Sequence, residues 1–87
     1  MKKIPKSLFA SVILILILFF QVSTQQAIHD YNKVIELNPI DALAYCTRGF
    51  AYSILGNEEQ ALNDLKIAAR LGDKVAEYYL REKGISW

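Results

Sequence analysis

Part of this chain repeats itself, and that constrains its fold more than any other feature. Gln26-Ala27-Ile28-His29-Asp30-Tyr31 aligns with Gln60-Ala61-Leu62-Asn63-Asp64-Leu65 at an offset of 34 residues. The match continues through Val34 with Ala68, Ile35 with Ala69 and Leu37 with Leu71. A fixed period of this length marks a stack of similar supersecondary units. Both copies carry a helical stripe. Ala27, Ile28, Tyr31, Val34 and Ile35 fall at i, i+1, i+4, i+7 and i+8, and Ala61, Leu62, Leu65, Ala68 and Ala69 repeat them.

Helix punctuation falls between and after the copies. Asn38-Pro39 ends the first helix, because proline disfavours a helical residue before it. Asp41 opens a helix reaching Leu55, its carboxylate accepting from first-turn amides. Gly56-Asn57 ends that helix, with glycine supplying a left-handed backbone. Asn57 and Gln60 open the next in a cap-box-like spacing, and Gly72 closes it. Asp73 caps a last helix, roughly Lys74 to Lys83, and Gly84 stops it. Ser23 and Gln26 predict a similar start for the first helix.

With these residues in place the sequence resembles the tetratricopeptide repeat. That family has a helix–turn–helix unit of 34 residues with the pattern Trp-x₂-Leu-Gly-x₂-Tyr…Ala-x₃-Phe…Pro. Tyr45 stands in the Trp place, Arg48 replaces the Leu, and Gly49 and Tyr52 match. Gly56 fits the turn, Ala61 with Leu65 fits the Ala-x₃-Phe step, and Asp73 stands where the Pro would be. Ala27, Tyr31 and Pro39 match in the preceding half-repeat, and Ala76 and Tyr79 follow Ala42 and Tyr45 by 34 residues. Gly49 and Ala61 make physical sense where paired helices approach closely, with Tyr45, Tyr52 and Leu65 filling the gaps. The fold expected is all-α: an antiparallel helix-turn-helix solenoid fragment preceded by one apolar helix. It divides into a leader at 1–24 and a repeat unit at 25–87, the latter made of a half repeat 25–39, a full repeat 40–73 and a terminal capping helix 74–84.

The first helix lacks its mate in this scheme. That partner would occupy about 7–21, where Ile15 and Val22 would take the places of Gly49 and Gly56. Such arrays usually need about three repeats, and a helical unit this short is marginal alone. Help is therefore expected from a partner, self-association or a membrane. A truncated remnant of a longer array is a further reading.

Residues 1–24 hold 15 apolar residues, Lys2, Lys3 and Lys6, and no acid. Leu8 to Phe20 is broken only by the polar Ser11. A basic opening before such a run is the pattern of a signal peptide, although Val22-Ser23-Thr24 offers no Ala-x-Ala triplet. An uncleaved anchor is the alternative, since Ser7–Thr24 as a helix is ~27 Å long and Lys6 can snorkel. A buried core helix is the third reading, against which stands its lack of any polar face. The first two place residues 25–87 outside the cytoplasm, secreted, periplasmic or tethered, because lysines stay inside.

Residues 25–87 carry all nine acids and seven bases, a net charge of −2 against +3 for the leader. Nucleic-acid binding has no charge footprint there. One cysteine excludes an internal disulfide, and no phosphate loop or paired metal-ligand motif occurs. His29 has no nucleophile or third member placed beside it by the sequence. No catalysis, cofactor or metal is expected.

The resemblance implies a binding scaffold, because members of that family mostly hold peptides or partner helices on a concave face formed by the first helix of each repeat. Here that face would be drawn from Leu43, Cys46, Thr47, Phe50 and Ile54, joined by Glu77, Leu80 and Arg81. It is apolar, so an apolar peptide or partner helix is the ligand expected. Some members grip a terminal carboxylate with Lys and Asn in this groove. Cys46 and Phe50 stand there instead, so that clamp is not carried over. Packing against neighbouring helices is the competing role for each of these residues. A second function is a single-pass membrane accessory protein that acts through its apolar helix.

Overall fold

The computed structural model describes residues 5–87, with Gln21 as backbone only; Lys2 and Lys3 fall outside the described residues. Four helices follow in order: α1 (Lys6–Leu37), α2 (Ala42–Ile54), α3 (Glu58–Arg70) and α4 (Lys74–Glu82). Each packs mainly on its chain neighbours, α1 on α2, α2 on α3 and α3 on α4. This is the all-α hairpin stack expected from the period.

The helix ends follow their sequence signals. Asp41 accepts from the Ala44 amide at 3.0 Å, and Asp73 accepts from the Ala76 amide at 2.8 Å. Gly56 and Gly72 take φ of 84° and 97°. Behind each, the next amide reaches back across the turn, Asn57 to the Tyr52 carbonyl at 2.9 Å and Asp73 to the Ala68 carbonyl at 2.9 Å. These bonds satisfy carbonyls left free at a helix end.

Two expectations are corrected. Asn57 occupies the cap position of α3, but its side chain makes no capping bond. Ser53 Oγ instead donates to Glu58 Oε1 at 3.0 Å across the turn, and Glu58 and Glu59 favour the positive end of the helix. The first helix does not begin at Ser23 either. α1 runs unbroken for 32 residues. Thr24 Oγ1 donates to the Phe20 carbonyl at 2.9 Å, so a residue suited to a cap is satisfied inside the helix. The division between 24 and 25 thus falls within one helix.

The core lies where α2, α3 and α4 meet. Cys46, Leu65, Ala68, Ala69, Ala76 and Leu80 are buried there, with Tyr45, Phe50, Leu62, Tyr79 and Ile85 packed around them. Alanines on the facing stripes let the helices approach, and two fully buried leucines, Leu65 and Leu80, fill the gaps. Each such leucine contributes about 1.5–3 kcal/mol. Gly49 sits at the closest crossing. A Cβ there would lie 3.0 Å from Leu65 Cγ and 3.1 Å from the Ala61 carbonyl oxygen.

α1 has α2 on one side only. Ile28 is buried and Ala27, Tyr31 and Ile35 are half-buried, while Val34, on the same stripe, is exposed. One neighbour cannot cover a stripe that two would. The N-terminal half of α1 projects beyond the repeat. It gives the molecule extents of 55 × 31 × 22 Å and a radius of gyration of 17.0 Å, against roughly 12 Å for a compact chain of this length.

Candidate partner-binding face

α2 builds the face, and Asp41 fixes where α2 begins. From that start Leu43, Thr47, Phe50 and Ile54 follow at i, i+4, i+7 and i+11, one stripe of the helix. Leu43 is 66% exposed and Ile54 54%, with Thr47 and Phe50 half-buried between them. Phe50 stands edge-on to Tyr79 of α4, ring centres 5.4 Å apart, which sets α4 beside α2. From α4 come Glu77, paired with Lys74 at 3.2 Å, and exposed Arg81, whose guanidinium lies 5.9 Å from the Trp87 ring centre.

Cys46 and Leu80 sit differently from the other six expected residues. At 4% and 0% exposure they belong to the core and support the face from behind. Burial, with the neighbouring Asp73 carboxylate, pushes the Cys46 thiol up to about 12. A thiol so held is a packing group and not a nucleophile.

Behind the stripe lies a polar node. Arg48 donates from Nε and Nη2 to the two carboxylate oxygens of buried Asp64, each at 2.7 Å. Nη1 donates to Asn32 Oδ1 of α1 at 2.9 Å. The guanidinium lies 5.7 Å from the Tyr45 ring centre and 5.8 Å from that of Tyr52. Asp64 pushes the guanidinium still further above its ordinary value. One side chain thereby ties three helices. The sequence showed Arg48 only as a departure from the family's Leu; Asp64 at matching register on α3 was the available signal.

Trp87 docks through its backbone carbonyl, which accepts from Arg70 Nε at 2.9 Å. A second groove, of about 400 Å³, is lined by Ile13, Leu16, Ile17 and Phe20 of α1 with Ile54 of α2. His29 is exposed on α1. Among the described residues no three His, Cys, Asp or Glu side chains gather to hold a metal.

A helical hairpin with a glycine at its crossing, flanked by a further helix on each side, is the architecture of a helical-repeat scaffold. A family model described as tetratricopeptide repeat matches residues 30–63. The chain is similar to small glutamine-rich tetratricopeptide repeat-containing protein 2 of Mycosarcoma maydis, 36% identical over 55 residues, which is 63% of this chain and 16% of that protein. It is 53% identical over 32 residues to small glutamine-rich tetratricopeptide repeat-containing protein alpha of Homo sapiens, and equally to that of Bos taurus, covering 37% of this chain and 10% of each. The aligned part of the chain thus spans a small fraction of these relatives' length. No solved structure matches significantly. Residues 30–63 thus match a tetratricopeptide repeat, a unit whose general role is protein–protein interaction.

Proposed function

We propose that this chain is a non-catalytic docking module that binds an apolar peptide or partner helix along α2 and α4. The observation that carries this reading is the α2 stripe itself. Leu43 and Ile54 are more than half exposed at the two ends of a helix whose opposite side is core. Half-buried Thr47 and Phe50 continue the stripe between them, and Glu77 and Arg81 supply a polar rim. A partner segment with apolar residues at helical spacing complements it. The leader supports a location outside the cytoplasm, secreted or tethered, with the repeat on the far side from Lys6.

The test is binding of a synthetic amphipathic peptide, with leucines at i, i+3, i+4 and i+7, to the full chain in mild detergent. Leu43→Asp changes an exposed position and leaves the core intact. Loss of binding in a variant that melts as the native chain does supports the face. Unchanged binding moves the site elsewhere.

A further inference from the structure

The N-terminal half of α1 is exposed on every side. Each residue from Leu8 to Phe20 is exposed, and the large apolar ones range from 42% at Ile13 to 72% at Phe19. By length and composition α1 is apolar enough to cross a membrane. A partner helix, or a second copy of this chain, covers one face of a helix. An apolar surface that runs all the way round needs a surrounding apolar medium, which is the hydrocarbon of a bilayer.

The same helix continues without a break into the repeat. Ser23, Thr24 and Gln25 are helical. Thr24 is 8% exposed, with its hydroxyl on the Phe20 carbonyl. Ile28, one turn on, is buried. Removing the leader here would cut one continuous helix and take away the Phe20 carbonyl that holds the Thr24 hydroxyl.

We propose that α1 is an uncleaved rod in which residues 6–20 cross a lipid bilayer and residues 24–37 form a helix of the repeat, so that the repeat is held rigidly with the Ile54 end of α2 against the membrane. This rests on the tethered form of the function proposed above. The orientation comes from the groove that Ile54 shares with Ile13, Leu16, Ile17 and Phe20. Those four residues are one stripe of α1, at i, i+3, i+4 and i+7. Ile54 therefore lies beside the outer part of the span, and Leu43 lies about 16 Å further out along α2. Residues 6–20 give a rise of roughly 22 Å, shorter than an average bilayer core, and local thinning with Lys6 snorkelling accommodates the difference. The docking stripe then begins at the membrane surface and runs away from it.

The experiment uses the full chain, expressed in bacterial membranes for intact mass and reconstituted into short-chain phosphatidylcholine bilayers for depth. Cys46→Ala removes the native thiol, and single cysteines replace Ile54 or Leu43 to carry a fluorophore. The bilayer carries a quencher at the headgroup boundary. The proposal expects a full-length mass in the membrane fraction, loss of most fluorescence at position 54, and no loss at position 43. A soluble species shortened by the leader overturns it. So does an uncleaved chain quenched equally at both positions, or at neither, because the rod would then lie flat or hinge. Peptide binding is read separately on the native chain in the same bilayers, so failure of the docking face and failure of the rigid rod are told apart.

Discussion

Arg48 reaches from α2 to Asp64 on α3 with both prongs of its guanidinium, each hydrogen bond 2.7 Å long. The Asp64 side chain is 2% exposed and that of Arg48 18%, so water screens this pair far less than a surface ion pair. Two parallel bonds fix direction as well as distance. The pair sets the angle between α2 and α3, and the third arm to Asn32 carries that setting to α1.

Breaking one side of this pair strands the other charge. Asp64→Ala is expected to cost about 3–5 kcal/mol, whereas Arg48→Leu with Asp64→Leu recovers most of it, because an apolar pair of similar volume needs no partner charge. Unfolding of the full chain in mild detergent, followed by Trp87 fluorescence, checks both. Equal loss in the single and double variants contradicts this account.

Gly49→Ala tests the crossing. Alanine gains about 1 kcal/mol in helix propensity. Its Cβ would meet a backbone carbonyl at 3.1 Å and the Asp64 Cβ at 3.2 Å, neither of which turns aside as a long side chain does. Overpacking of this kind costs about 1–3 kcal/mol. A lower melting temperature is expected, and a higher one contradicts the tight crossing.

The caps separate by side chain. Asp41→Ala and Asp73→Ala each remove a bond to a first-turn amide and are expected to cost about 1 kcal/mol. Asn57→Ala removes none, and its melting temperature should stay close to native. If Asn57→Ala matches the aspartates, α3 is capped in the way its sequence alone suggests.

Cys46 should resist alkylation by iodoacetamide at pH 8 in the folded chain and react readily once denatured. Its thiol is raised from 9.0 to about 12 by burial and by Asp73. The folded state therefore holds this proton more tightly than the unfolded state. The stability linked to it is intact below pH 9.0 and is lost as pH rises toward about 12. Fast labelling of the native chain at pH 8 contradicts the packing role.

Much of the fold was legible in local signals. The 34-residue offset, Asp41, Asp73 and the glycines after α2 and α3 each act within a few residues of where they stand. Gly49 was legible because a missing side chain is informative wherever helices cross. Arg48 was not, since its partner lies 16 residues away and the pairing depends on the register of a formed hairpin. The start of α1 was misread at Ser23 because serine and threonine satisfy themselves equally well on a preceding helical carbonyl, as Thr24 does on Phe20. Of the expected face, the spacing along α2 and α4 was readable. It could not separate Cys46 and Leu80 from the exposed residues, because the way each side turns depends on where α3 packs.

The docking face is tested most directly by titrating isotope-labelled full chain in mild detergent with the leucine-bearing peptide and following amide shifts. The account predicts shifts gathered at Leu43, Thr47, Phe50, Glu77 and Arg81. Shifts gathered on the outer side of α3, at Glu59, Asn63 and Lys66, or no shifts at saturating peptide, would contradict it.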